Sequence, residues 1–205
     1  MPVTTINART RLVSLIGWPV AHSLSPAMHN AAFAELGLNW RYVPLPVPPG
    51  QVEAALRGLG ALGFRGANVT VPHKQTVRQA LLRLFGPKAV AAGAEALGAV
   101  NTLVIERDAG GQVAVGGHNT DAAGFVGALR DGGFQPRGAS AVVVGAGGAA
   151  RAVVYGLMHG GAQEIAVLNR TLKRAQGLVS DLTPSSSGSL RAQPFTDETD
   201  RKSVV

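Results

Sequence analysis

A glycine cluster flanked by two different periodicities restricts the fold of this chain more than any other feature. Gly145-Ala146-Gly147-Gly148-Ala149-Ala150 follows the short apolar run Ala141–Val144 and opens Gly147–His159, whose apolar residues recur at helical spacing. The cluster fits G-x-G-x-x-G/A with Ala150 in the third place. Gly145 permits a tight turn, Gly147 lets backbone approach a pyrophosphate, and a small third residue lets helix and strand pack closely. A strand at Glu164–Leu168 and a helix at Leu172–Leu182 follow. This alternation predicts parallel strands joined by right-handed crossovers, a doubly wound α/β sheet with a dinucleotide at the helix N-terminus. The competing reading is a glycine-rich turn with no ligand, which the flanking strand and helix disfavour.

The end of the next strand separates the two nicotinamide cofactors. An NAD site usually carries Asp or Glu there, bonded to the ribose hydroxyls. This sequence has Asn169-Arg170-Thr171, then Lys173 and Arg174. With cations in place of an acid, the pocket suits a 2′-phosphate, so NADP is expected rather than NAD. The alternative is that Arg170 and Arg174 belong to a solvated helix face.

The segment before the glycine cluster is also mixed α/β. Arg11–Trp18 predicts a strand, and Pro26 at a first helical position with Ser25 as N-cap predicts a helix to about Leu36, closed by Gly37. Trp40–Val47 alternates as a strand, and Pro48-Pro49-Gly50 is a turn. Gln51–Leu62 places Val52, Leu56, Leu59 and Leu62 at helical spacing. Gly66–Val71 is expected as a strand stopped by Pro72, with helical segments over Gln75–Leu84 and Lys88–Ala92. Val100–Glu106 and Gln112–Val115 bracket Asp108-Ala109-Gly110-Gly111 as a hairpin. Asp121–Leu129 reads as a helix ending near Gly132-Gly133, with the domain boundary in or next to it. Ser185–Ser189 is the low-complexity patch.

Composition excludes several function classes. The chain has no cysteine, which removes disulfide scaffolds, Cys-based zinc sites and thiol nucleophiles. Its five histidines lack a metal-ligand spacing, so no metal is expected. No apolar run approaches the roughly 18 residues of a membrane helix and no signal-peptide core opens the chain, so a soluble cytoplasmic protein is expected. The net charge is +7, but the cations are scattered singly. A nucleic-acid binder would cluster them among aromatics. A solvated basic surface, attractive to small anions, is the reading here.

Four polar clusters remain: Gly17-Trp-Pro-Val-Ala-His-Ser-Leu-Ser-Pro-Ala-Met-His-Asn30, Asn68-Val-Thr-Val-Pro-His-Lys74, Gly98-Ala-Val-Asn-Thr-Leu103 and Gly117-His-Asn-Thr-Asp-Ala-Ala-Gly-Phe125. In this order, and ahead of the glycine cluster, they resemble the shikimate dehydrogenase family over roughly Arg11 to Ala175. The resemblance implies an N-terminal α/β shikimate-binding catalytic domain, residues 1–120, and a Rossmann NADP-binding domain, residues 121–205. It implies reversible reduction of 3-dehydroshikimate to shikimate in the chorismate route to aromatic amino acids. The partner would be that small molecule, not nucleic acid or membrane, and a homodimer is compatible with the pattern. A quinate/shikimate dehydrogenase using NAD and a non-catalytic ligand-sensing relative are the alternatives.

By the same resemblance, Ser23 and Ser25 would hold the substrate carboxylate, while Asn68, Thr70, Asn101 and Asp121 would read ring hydroxyls. Lys74 and Asp121 would be the catalytic pair and would also bind substrate. Gly145, Ala146, Gly147, Gly148 and Ala149 would meet the pyrophosphate, with Asn169, Arg170, Thr171 and Arg174 at the NADP phosphate. The residue chemistry agrees. A polyhydroxy acid needs amide and hydroxyl side chains to orient its neutral OH groups. Oxidising an alcohol by hydride loss also requires removing its proton. Lys74, one of only four lysines against fifteen arginines, can exist as a neutral amine, which Arg cannot. Partial burial favours the neutral amine and a neighbouring carboxylate opposes it. His22, His29 and His73 are read as loop-fixing hydrogen-bonders, and His118 and His159 are given no role.

The dinucleotide domain is expected to be C-terminally incomplete. Such a domain normally has about six strands, and after Leu182 there is room for one more, around Leu190–Phe195. The terminal Asp200-Arg-Lys-Ser-Val-Val205 has no periodicity and is what the sequencing-adapter stretch GATCGGAAGAGCGTCGTG would encode. A chain ending so is expected to expose an unpaired sheet edge, bind NADP weakly and turn over slowly or not at all.

Overall fold

The computed structural model describes residues 5–183 and 188–195. The tail from Asp200 and most of the Ser185–Ser189 patch lie outside the described residues. The chain divides into two compact units, Met1–Asn119 and Thr120–Val205.

The first unit is built on a five-stranded sheet in the order β2-β1-β3-β4-β5. Its strands are β1 (Arg11–Gly17), β2 (Trp40–Pro46), β3 (Gly66–Val69), β4 (Thr102–Arg107) and β5 (Val113–His118). The first three run parallel, with β1 in the middle, while β4 and β5 form the antiparallel hairpin expected around Asp108–Gly111. Helix α1 (Ser25–Glu35) links β1 to β2, α2 (Val52–Ala61) links β2 to β3, and α3 (Lys74–Phe85) follows β3. The apolar residues of β1 divide between two cores. Leu12 and Ile16 pack with Val52, Leu56, Leu59, Val77 and Leu81 of α2 and α3, whereas Val13 and Leu15 pack with Tyr42 and Phe33 of α1. A strand covered on both faces has to be apolar throughout its length, as Leu12-Val13-Ser14-Leu15-Ile16 nearly is.

Local expectations failed where tertiary contacts intervened. Leu24, not Ser25, is the cap of α1, and Ser25 is its first helical residue. Leu62 leaves the α2 face and is 75% exposed, because the helix stops at Ala61 and Gly63 turns the chain at positive φ. Strand β3 ends at Val69, two residues early, where its ladder with β4 runs out at Asn68–Thr102 and the chain turns through Val71-Pro72. The helix expected over Lys88–Ala92 is a single 3-10 turn at Pro87–Ala89, then α4 (Ala92–Leu97). Between them Val90 is extended and bridges Gly117, and the Ala91 N–H donates to the Gly117 carbonyl at 2.9 Å. Pairing with β5 thus overrides local helix propensity.

In the second unit, β6 (Ser140–Val144), β7 (Glu164–Asn169) and β8 (Ser189–Pro194) form a parallel sheet in that order. Strand β8 is the one expected near Leu190–Phe195. Helices α6 (Gly148–His159) and α7 (Leu172–Leu182) make the crossovers. Because the strand order advances in one direction, right-handed crossovers put both helices on one face. Val154 and Leu157 of α6 and Ala175, Leu178 and Leu182 of α7 bury Val143, Ile165 and Val167 there. On β6 the opposite parity, Val142 and Val144, is 48% and 66% exposed. Helix α5 (Asp121–Asp131) lies against α6 so closely that a side chain at Gly156 would stand 3.0 Å from the Ala122 carbonyl.

Two substitutions in the first sheet have opposite expected signs. Ser14 is fully buried and its Oγ has no hydrogen-bond partner among the described residues. Ser14→Ala should therefore leave stability unchanged or raise it, by up to about 1 kcal/mol, since it removes an unsatisfied hydroxyl. A Cβ at Gly66 would meet the Leu103 carbonyl at 2.5 Å, backbone against backbone. Gly66→Ala should cost roughly 1–3 kcal/mol. Urea unfolding of the two variants checks both signs, and a destabilised Ser14→Ala would mean the hydroxyl has a partner after all.

Candidate functional site

The parallel strands of the first unit direct its polar residues to their carboxyl ends, since the lengths of the strands are buried. After β1, the loop carries Ser23 and leads to Ser25 at the start of α1. The Ser25 N–H donates to Ser23 Oγ at 3.2 Å, which ties the loop to the first helical residue while Leu24 holds the cap position. The Ser25 side chain lies beside the Tyr42 phenol. Tyr42 is 3% exposed and donates its O–H to Asn68 Oδ1 at 2.8 Å. Burial pushes its ionisation up to about 12, against the Ser25 hydrogen bond, which lowers it.

Asn68 lies within β3, Thr70 just beyond it, and Lys74 is the first residue of α3. The Thr70 N–H extends the ladder to the Ile16 carbonyl at 2.9 Å. Gly17 is required here, because a Cβ at that position would come within 2.4 Å of the Thr70 methyl. Asn101, 7% exposed, precedes β4 and is held from both sides. Its carbonyl accepts from the Val69 N–H at 2.7 Å, and its own N–H donates to the His118 carbonyl at 3.0 Å. The next link joins the Val100 N–H to the Lys74 carbonyl at 2.9 Å. Backbone bonds therefore bring Asn68, Thr70, Lys74 and Asn101 to one end of one sheet. Asp121, the first residue of α5, belongs to the second unit.

Two of the motif histidines have structural partners. His73 is 2% exposed, with Nε2 at 2.7 Å from the Val47 carbonyl. A carbonyl only accepts, so Nε2 carries the proton and the ring fixes the entry to α3. His29 stacks on Tyr42, ring centroids 4.4 Å apart. His159 stacks on Tyr155 in the second unit. Sequence reasoning missed Tyr42, which stands alone in an ordinary apolar strand. No local signal marks it, since its shared face with Asn68 exists only once β2 and β3 are paired across β1.

In the second unit, Gly145 begins the turn after β6 with φ of +111°, open to glycine, and its N–H donates to the Leu168 carbonyl at 2.7 Å. Gly147 is the extended cap of α6, and Gly148 begins the helix. A Cβ at Gly145 or Gly147 would meet nothing within 4 Å, so both face open space in front of a helix N-terminus. A pyrophosphate fits such a cradle of free N–H groups. Asn169 ends β7 and its Nδ2 donates to the Thr171 carbonyl at 2.9 Å. Arg170, Lys173 and Arg174 are exposed around the cap of α7. Among the described residues, neither Arg170 nor Arg174 forms an ion pair, whereas Arg78, Arg83, Arg151 and Arg191 do.

Comparison with known proteins bears on both units. The family model of the shikimate dehydrogenase substrate binding domain matches residues 15–103, and that of shikimate / quinate 5-dehydrogenase matches residues 131–200. A shikimate dehydrogenase (NADP(+)) of Rubrobacter xylanophilus is 52% identical over 178 residues, 87% of this chain and 59% of the relative. The chain thus spans about three fifths of the length of the curated relatives it matches. The structure of shikimate 5-dehydrogenase from Listeria monocytogenes, in complex with shikimate and NAD, has a TM-score of 0.83 at 34% identity. It covers 96% of this chain and 66% of that one. The shikimate dehydrogenase of Aquifex aeolicus gives a TM-score of 0.82 at 36% identity, over 97% of this chain and 68% of that one. A solved relative matched over more than two thirds of its own length, and family models matched in both units, agree with the polar strand ends and the glycine turn: the chain belongs to the shikimate dehydrogenase family.

Proposed function

We propose that this chain performs the reversible NADP-dependent reduction of 3-dehydroshikimate to shikimate, as a cytoplasmic enzyme of aromatic amino-acid biosynthesis. In this reading residues 1–120 bind the substrate and residues 121–205 bind NADP. The observation that carries it is the patch at the end of the first sheet, where Asn68, Thr70, Lys74 and Asn101 are tied together by backbone bonds. Amide and hydroxyl groups around one amine suit a ring bearing several neutral hydroxyls, one of which must lose or gain a proton.

Ser23 and Ser25 hold the substrate carboxylate, and Asn68, Thr70, Asn101 and Asp121 orient the ring hydroxyls. Lys74 Nζ takes the proton from the reacting hydroxyl in oxidation and returns it to the oxygen in reduction. Asp121 is its carboxylate partner in the proton transfer. NADP, when bound, supplies or accepts the hydride. It would be held by Gly145, Ala146, Gly147, Gly148 and Ala149 at the pyrophosphate, and by Asn169, Arg170, Thr171 and Arg174 at the 2′-phosphate. The open space before Gly147, and Arg170 and Arg174 forming no ion pair among the described residues, support that assignment. The residues' own contribution is orientation and proton transfer.

Lys74→Ala should lower kcat for shikimate oxidation by roughly 10²–10⁴-fold, the usual worth of a positioned acid–base group, while shikimate affinity stays within a few-fold. Steady-state assay with NADP measures both. An unchanged kcat would sink the assignment, with His73 a poor substitute because its Nε2 is engaged by Val47.

Replacing Arg170 and Arg174 together by Ala should erase the preference for NADP over NAD. Each charge-assisted contact contributes roughly 1.5–3 kcal/mol, about tenfold or more in affinity. NAD affinity should change little. Calorimetric titration with both cofactors decides it, and equal losses for the two would assign these arginines to the fold.

A further inference from the structure

The proposed chemistry makes no use of His29 and Asn30, although they close the polar motif that begins at Gly17. Both are spent on one residue. Asn30 pairs with the backbone of Tyr42 as a strand would, its Oδ1 accepting from the Tyr42 N–H and its Nδ2 donating to the Tyr42 carbonyl, each at 2.9 Å. His29 lies flat on the Tyr42 ring, with an interplanar angle of 11°. Helix α1 therefore fixes the strand position and the ring plane of Tyr42 separately. The fixed ring places its hydroxyl on Asn68 of β3, with the Ser25 side chain of α1 nearby. A phenol has one proton to donate, and Tyr42 gives it to Asn68 Oδ1. Its ionisation near 12 keeps that proton in place throughout the neutral range.

We infer that Tyr42 is a positioning residue whose hydroxyl locks Asn68 with its Nδ2 hydrogens turned toward the ligand, so that this subsite recognises a ring oxygen as an acceptor. An amide side chain can otherwise present either its oxygen or its NH2, with opposite hydrogen-bonding sense. With Oδ1 held by the phenol, only the donor end remains. This inference rests on the function proposed above, which makes Asn68 and Ser25 substrate ligands.

Tyr42→Phe is the discriminating change, since it keeps the ring on His29 and both backbone bonds to Asn30. Shikimate binding to the whole chain is measured by calorimetry for the unaltered protein, Tyr42→Phe, Asn68→Ala and the double variant. Tyr42→Phe should weaken binding about tenfold, the worth of one oriented hydrogen bond, and should have no further effect once Asn68 is Ala. In the oxidation assay the same change should appear in KM, with kcat within about twofold. Independently of any variant, the Asn68 side-chain NH2 resonances should shift on adding shikimate. Unchanged affinity in Tyr42→Phe, additive losses in the double variant, or Asn68 NH2 resonances that ignore the ligand would each overturn the inference. Unaltered chain that fails to bind shikimate would instead overturn the proposed function, and this inference with it.

Discussion

Strand β1 is paired on both edges, by β2 and β3, and covered on both faces by helices. A strand in that position cannot carry hydrated groups along its length, because every side chain on it would lose water with no partner to replace it. Ser14 is the exception, and its buried hydroxyl has no partner among the described residues. Polar chemistry is thereby displaced to where the ladder stops. The last bonds of that ladder, Thr70 N–H to the Ile16 carbonyl and Val47 N–H to the Gly17 carbonyl, mark the place where the site residues gather. Ser23, Thr70 and Lys74 follow a parallel strand, and Asn68 lies one residue from the end of β3. Asn101 immediately precedes the antiparallel β4, whose start is brought beside the end of β3 by reversal of direction.

The second unit reaches a similar arrangement with fewer polar side chains. Here the site is made of backbone, and side-chain volume is what has to be kept out. Gly145 adopts a φ that other residues avoid, and Gly147 leaves the approach to α6 open. The charge for an anionic ligand is supplied one strand away, at the cap of α7. In the proposed reading recognition divides by chemistry: hydrogen-bonding side chains and the Lys74 amine in the first unit, helix N-terminus and guanidinium in the second.

Within each unit the side chains that matter are held by neighbours distant in sequence. His73 is anchored by Val47, Asn119 donates to the Ala99 carbonyl, and Tyr42 is held by His29 and Asn30 while holding Asn68. Such contacts replace flexible loop geometry with fixed hydrogen-bond directions. A site that must tell one ring hydroxyl from another depends on those directions more than on burial.

The glycine cluster, the alternating periodicities and the four polar motifs were legible without coordinates because each depends on residues close together in the chain. Backbone freedom at Gly145, the helical stripe Ala175–Leu178–Leu182 and the turn at Asp108–Gly111 are local properties of the polypeptide. Tertiary structure decided what local preference left open or decided wrongly. Val90 was drawn out of a helix by pairing with Gly117, and Ser25 became the first helical residue, with Leu24 at the cap. The role of Tyr42 depends on parallel register across β1, which places Tyr42 opposite Val13 and Asn68 opposite Leu15. Register is a property of paired strands, set by which faces can be buried together, and no single strand contains it.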